Sequence, residues 1–144
     1  MKLSTRSRYG VRLMYELAIA GNRKPVILRD IAARQEISEK YLSKLIIPLK
    51  GAGMIISTRG AQGGYTLGRD PSSITLLQIV RSLEGDITPV QCVNDTEMCS
   101  RSFDCSVRSV WVGLDRVILD YLESITLEDL VKKAESGDSC AYSI

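Results

Sequence analysis

For most of its length the chain repeats its apolar residues at helical spacing. Residues 4–20 read as a first helix. Tyr9, Leu13, Leu17 and Ala18 form one stripe, widened by Val11 and Met14, and Ser4 or Thr5 is placed to cap it. Gly21-Asn22 ends this helix, and Pro25 opens a short strand-like run, Val26-Ile27-Leu28, suited to pairing with a later hairpin. Ile31 and Ala32 resume the helical spacing until Glu36-Ile37-Ser38 interrupts it. The Ser38 hydroxyl can accept a hydrogen bond from a free N–H of a new first turn, so a second helix is expected from there. Its apolar stripe is Leu42, Leu45, Ile46 and Leu49, and its other face carries Glu39, Lys40, Ser43, Lys44 and Lys50. Gly51 or Gly53 closes it. Two short helices joined by a tight polar turn, the second basic outside, predict a helix-turn-helix.

Met54-Ile55-Ile56 and Tyr65-Thr66-Leu67 then read as two short strands around a turn-rich tip, Thr58 to Gly64, which carries Arg59. A hairpin directly after a recognition helix is a wing. The alternative is a helical core with an ordinary surface hairpin. Asp70-Pro71-Ser72-Ser73 forms a turn, Thr75 and Gln78 have capping-box spacing, and a helix through Ile79, Val80 and Leu83 stops at Gly85. Residues 86–104 are irregular and polar, and a loop of that length in a small domain is uncommon unless it binds something. From residue 105 the stripe Val107, Val110, Trp111, Leu114, Val117, Ile118, Tyr121 predicts the longest helix. Its simplest partner is a second copy of itself, a core-facing helix being the alternative. Thr126 caps a last short helix.

The expected class is therefore mainly α with a small β-hairpin wing: a winged helix-turn-helix domain plus a long dimerisation helix. Its expected parts are a DNA-binding domain over 1–85, a ligand loop over 86–104, dimerisation and terminal helices over 105–134, and a tail over 135–144.

Charge sharpens this picture. The net charge of the 144-residue chain is only +2. Residues 1–69, however, hold thirteen Lys and Arg against four Asp and Glu, a net +9, while residues 70–144 hold six against thirteen, a net −7. An anionic partner on the N-terminal part follows, and double-stranded DNA is favoured over a membrane surface, since no basic amphipathic stretch with exposed aromatics is present. A homodimer on a twofold axis would match a palindromic operator. Arg6, Arg8 and Arg12 are candidates to grip phosphates. Glu39, Lys40, Tyr41, Ser43 and Lys44, with Ser38 before them, are candidates to read the major groove, and Arg59 with Gly60 to enter the minor groove. No signal-peptide core or membrane-length apolar run is visible, so a cytoplasmic location is expected. Histidine is absent, which removes the commonest general base and argues against an enzyme built on Cys99 or Cys105.

Cys92, Cys99 and Cys105 place three thiols within fourteen residues. Thiolates are soft donors to iron and zinc, but the spacing is neither that of zinc ribbons nor that of ferredoxins. Iron–sulfur binding, zinc binding and thiol redox sensing all stay open at this point.

Several segments together carry a family resemblance: Lys2-Leu3-Ser4-Thr5 through Tyr9, Ile37-Ser38 through Tyr41-Leu42, Pro48-Leu49-Lys50-x-x-Gly53, Arg59-Gly60-x-x-Gly63-Gly64-Tyr65-x-Leu67, Leu83-Glu84-Gly85 and Ile125-Thr126-Leu127. Over nearly its whole length the chain resembles the IscR/BadM family of dimeric winged-helix transcription regulators. The resemblance implies that Cys92, Cys99 and Cys105 hold an iron–sulfur cluster, of the [2Fe–2S] kind, near the dimer interface. It points to the branch that senses cluster supply and regulates cluster-assembly operons. Two departures stand out. Where that branch has a histidine, three residues after the last cysteine, this chain has Arg108, which keeps its proton and cannot ligate. Where the nitric-oxide-sensing branch has an aspartate in the first helix, this chain has Arg8. Asp95, Glu97, Asp104 or Cys140 would then supply the fourth ligand, with Glu97 favoured on proximity alone. A regulator of cysteine or sulfur metabolism or of a nitric oxide or redox response, and a zinc-stapled interaction module, are the alternatives.

Overall fold

The structure, a computed structural model, describes residues 3–21 and 24–137. Lys2, Asn22 and Cys140 lie outside the described residues. The first helix, α1 (Thr5–Ala20), is capped by the Ser4 hydroxyl, which accepts from the Arg6 N–H at 3.1 Å. Leu13, Met14 and Leu17 on its stripe are almost wholly buried, and α1 touches four other helices and the hairpin.

The helices α2 (Leu28–Gln35) and α3 (Glu39–Gly51) follow, joined by a turn in which Glu36 adopts a left-handed conformation with φ +53°. The Ser38 hydroxyl accepts from the Tyr41 N–H at 3.1 Å, the cap its sequence position predicts. A polar lattice fixes α2 against α1. Buried Glu16 accepts from Arg34 Nε at 2.9 Å and from Gln35 Nε2 at 2.5 Å, and Arg12 Nε donates to Gln35 Oε1 at 2.7 Å. The C-terminus of α3 closes in a Schellman arrangement: Gly53, with φ +73°, donates to the Lys50 carbonyl and Met54 donates to the Leu49 carbonyl, both at 3.0 Å.

Strands β1 (Ile55–Thr58) and β2 (Gly64–Leu67) pair antiparallel with Ile55 opposite Leu67 and Thr58 opposite Gly64. The run after Pro25 pairs with this hairpin only at Val26, through two hydrogen bonds with Tyr65 at 2.8 and 2.9 Å. Leu28 already belongs to α2, because its side chain is needed in the core. Gly64 makes the bridge possible: its φ is +154°, and a Cβ there would lie 2.5 Å from the Val26 carbonyl oxygen.

The helix α4 (Leu76–Glu84) begins at Thr75, whose hydroxyl accepts from the Gln78 N–H at 3.3 Å. The expected reciprocal half of that box is absent, since Gln78 Oε1 instead accepts from Arg69 Nη2 at 3.1 Å. At its far end Glu84 returns to α1, accepting from Ser7 Oγ at 2.6 Å, from Ser7 N at 3.3 Å and from the Ser4 hydroxyl. Two one-turn helices, Gln91–Val93 and Thr96–Met98, punctuate the following loop. The long helix α5 runs over Arg108–Glu123, so Cys105 precedes it rather than opening it.

The last helix, α6 (Leu127–Glu135), has a full capping box between Thr126 and Asp129. Leu127 is fully buried in the main core, α6 lies on α1, and backbone bonds join Leu76 to Ile125 and Leu127 to Ile74. Apolar burial on α1 outweighs adjacency in sequence.

Two outcomes follow. Gly64→Ala should cost about 1–3 kcal/mol in urea unfolding, because it forces a Cβ into the Val26 carbonyl at a strained φ. The second concerns Glu84, whose carboxyl is held below its ordinary 4.5 by the Ser4 and Ser7 hydroxyls. A depressed carboxylate contributes stability that is complete above the unfolded value and is lost as pH falls through the folded one. Urea midpoints should therefore drop between about pH 5 and about pH 3 more steeply for the wild type than for Glu84→Gln.

Candidate nucleic-acid interface

The recognition-helix face forms because α3 spends one stripe on the core. With Leu42, Leu45, Ile46 and Leu49 buried, Glu39, Lys40, Ser43 and Lys44 are left exposed on the opposite side. Glu39, Lys40 and Ser43 form one wall of an open groove. Thr58, Gly60, Gly63, Gly64 and Tyr65 of the hairpin form the other, with Ile27 and Leu28 between them. The Val26–Tyr65 bridge joins the hairpin wall to the segment that carries Ile27 and Leu28. Arg59 stands exposed at the hairpin tip.

Electrostatics favour an anion here. Among the described residues the ion pairs are Arg34–Glu16 and Lys132–Glu128, so Lys40, Lys44 and Arg59 have no carboxylate partner. The first turn of α3 adds unpaired backbone N–H groups and the positive end of the helix dipole. Lys50 is engaged elsewhere, donating to Ser57 Oγ at 2.6 Å and tying the end of α3 to β1.

Other expected DNA contacts have further duties. Tyr41 is half-buried, its ring edge-on to Tyr9 with centroids 5.8 Å apart, and Ser38 is committed to its cap. The three arginines of α1 do not share one side of the helix. Residues two apart on a helix lie about 200° apart, so Arg6 points away from Arg8. Arg8 donates to Thr5 Oγ1 at 3.4 Å and borders an apolar groove with Leu3, Val11, Leu76 and Leu122. Arg12 lies over the Tyr9 ring at 5.3 Å while bonding Gln35. The sequence gives no sign of that role, because Gln35 is distant along the chain.

The cysteine segment is a second candidate. Cys92 and Cys105 are half-buried and Cys99 is exposed. Three soft thiols suit a cluster chemically, yet among the described residues no three Cys, Asp, Glu or His side chains are gathered so as to hold a metal ion. The donor set suits a cluster, and in this arrangement its three thiols are not gathered. Asp95 is occupied as a cap, its Oδ1 accepting from the Glu97 N–H at 2.9 Å, and Glu97 is exposed. Arg108 fills the role of a clasp instead: Nε donates to the Cys92 carbonyl at 3.0 Å and Nη2 to the Val93 carbonyl at 3.3 Å. Nearby, the buried Ser102 hydroxyl and Asp115 Oδ1 have no hydrogen-bond partner.

Comparison with known proteins decides the family. Residues 3–133 match the family model described as Rrf2, iron-dependent transcriptional regulator. The chain belongs to the Rrf2 family. It is a transcriptional regulator of the winged-helix type, not an enzyme. The HTH-type transcriptional regulator CymR of Bacillus subtilis is 41% identical over 142 residues, spanning 99% of this chain and 97% of the relative. The IscR regulator of Vibrio campbellii is 36% identical over 135 residues, 94% of this chain and 80% of the relative. The solved structure of T. potens IscR superposes with a TM-score of 0.79 at 42% identity, covering 99% of this chain and 94% of that one. That of CymR, described as the global cysteine regulator of B. subtilis, gives 0.78 at 40% identity, covering 92% and 97%. Among the described residues no helix is long and apolar enough to cross a membrane.

Arg108→Ala should release the Gln91–Val93 turn from α5. Amide hydrogen exchange over residues 90–98 is expected to quicken, with α1 to α3 unchanged and global stability lowered by no more than about 1–2 kcal/mol.

Proposed function

We propose that this protein is a homodimeric regulator that binds a palindromic operator, laying the outer face of α3 in the major groove and the hairpin tip in the adjacent minor groove. The groove between α3 and the hairpin carries this reading. Lys40 lines it, Arg59 sits between its lining residues Thr58 and Gly60, and Lys44 is one turn along α3 from Lys40, all in the half of the chain whose net charge is +9. Lysines there position the protein on phosphates, and the face between them reads base edges.

The dimer rests on α5. None of its residues is buried, and Val117 and Tyr121 remain 65% and 64% exposed beside Val110, Trp111 and Leu114. Only Ile118, Leu119 and Leu122 pack inward, on Leu77, Val80 and Ile87. A stripe of that size needs a cover, and a second copy supplies one on a twofold axis. The domain division proposed on this basis is a DNA-binding part over 1–85, a sensory loop over 86–104 and α5 as the dimer element.

The loop with Cys92, Cys99 and Cys105 is assigned as the sensory segment, with iron–sulfur cluster status as its signal and cluster-assembly genes as its targets. The three-thiol set and the likeness to IscR support this assignment, and it requires the loop to rearrange, since the thiols are not gathered. The second reading is control of cysteine metabolism. The ungathered thiols and the similarity to the global cysteine regulator favour it.

Anaerobic purification with a visible spectrum and iron and sulfide analysis separates the two. A brown protein whose operator affinity changes on cluster loss supports the first. A colourless protein that binds the operator equally well after chelation supports the second. In either case Arg59→Ala should weaken operator binding by about 1–3 kcal/mol at physiological salt. An unchanged affinity would remove the hairpin from the interface. Leu114→Asp should shift the dimer to monomer in sedimentation and reduce operator binding with it.

A further inference from the structure

The four buried residues of α3 have a counterpart set two positions earlier. Lys40, Ser43, Lys44 and residue 47 repeat the same i, i+3, i+4, i+7 spacing and lie about 200° away around the helix. Three of the four are polar and exposed; the fourth is Ile47, which is 71% exposed. It belongs to neither hydrophobic cluster of the fold. Nor does it extend an apolar patch suited to a protein partner. Exposed Lys44 and Lys50 flank it, and the exposed Ile56 of β1 points to the opposite strand face from Ser57, whose hydroxyl meets Lys50.

We propose that Ile47 is a specificity-determining residue that contacts the C5-methyl group of thymine in the major groove, an inference that rests on α3 being the DNA-reading helix. The floor of the major groove offers hydrogen-bonding groups and one kind of apolar group, the thymine methyl. Lys40 and Lys44, about two turns and one turn before it on the same face, can reach phosphates or guanine edges. Ser43 both donates and accepts, its hydroxyl already bonding the Lys40 carbonyl at 2.8 Å, so it discriminates little among bases. The aliphatic side chain is the member of this set whose match in the groove is the thymine methyl. Contact between Ile47 and one methyl group is worth about a fourfold change in affinity.

The test uses the full-length protein and a duplex enriched by it from a random pool, compared with the same duplex carrying deoxyuridine for thymine at one position at a time. Wild-type protein should lose about fourfold at one symmetry-related position per half-site. Ile47→Ala, which removes the contact from both half-sites, should lose about sixteenfold on the enriched duplex, bind unrelated DNA like the wild type, and show no further loss with deoxyuridine at that position. Ile47→Ser should behave alike, with urea midpoints of both variants at the wild-type value because the side chain is exposed. If Ile47→Ala binds the enriched duplex like the wild type while Lys40→Ala and Arg59→Ala weaken it, the inference fails and the DNA-binding reading stands. Equal losses on thymine and deoxyuridine duplexes overturn it as well. If no sequence is enriched, or Lys40→Ala and Arg59→Ala are neutral, both fall together.

Discussion

The structure depends on keeping one helix dry. Leu13, Met14 and Leu17 of α1 are in contact with the interior on nearly all sides, and α2, α3, α4, α6 and β2 each gain their place by covering part of that helix. Burial of this kind is non-directional, so it does not by itself fix angles between elements. The directional terms sit around it. Glu16 with Arg34, Gln35 and Arg12 fixes α2; Glu84 with Ser4 and Ser7 fixes α4; the Val26–Tyr65 bridge fixes the hairpin. The elements around α3 and the hairpin are thereby given direction by polar contacts that burial alone does not supply.

This division explains what the sequence disclosed. Ser38, Thr126 and Gly53 act on neighbours three to five residues away, so their caps and turns could be read directly. The helix stripes were legible because periodicity encodes which face is buried. Pro48 shows the limit of local reading: it removes an intrahelical donor, yet α3 continues to Gly51 because Leu49 beyond it is needed in the core. The roles of Arg12 and Arg108 were not legible, because their partners lie 23 and 16 residues away in sequence. An arginine looks the same in sequence whether it grips a phosphate or a backbone carbonyl. The place of α6 was hidden for a similar reason, since its amphipathic pattern says that one face is covered and not by what.

The cysteine segment illustrates the distinction between donors and a site. Three thiols in fourteen residues are a statement about composition, whereas holding a metal requires their convergence, and convergence is a property of the loop's hydrogen bonds. Here those bonds go elsewhere: Asp95 caps a turn, Asp86 binds Thr88 and Asn94, and Arg108 clasps the Cys92 and Val93 carbonyls. Two buried polar atoms, on Ser102 and Asp115, go without partners in the same region.

Any signal from that loop must reach DNA through packing. The α4 helix is the shared element: Ile79 and Leu83 enter the main core, while Leu77 and Val80 meet Ile118, Leu119 and Leu122 of α5. Its terminal Glu84 bonds the first turn of α1. A shift of α5 is therefore felt on both sides of α4 at once, because close-packed side chains transmit displacement rather than absorb it. A ligand on the loop alters operator choice only to the extent that it binds two such arrangements with different affinity. That condition is the same for a cluster and for a thiol reaction. The Leu77–Val80–Ile87 cluster is the packing through which α4 meets α5.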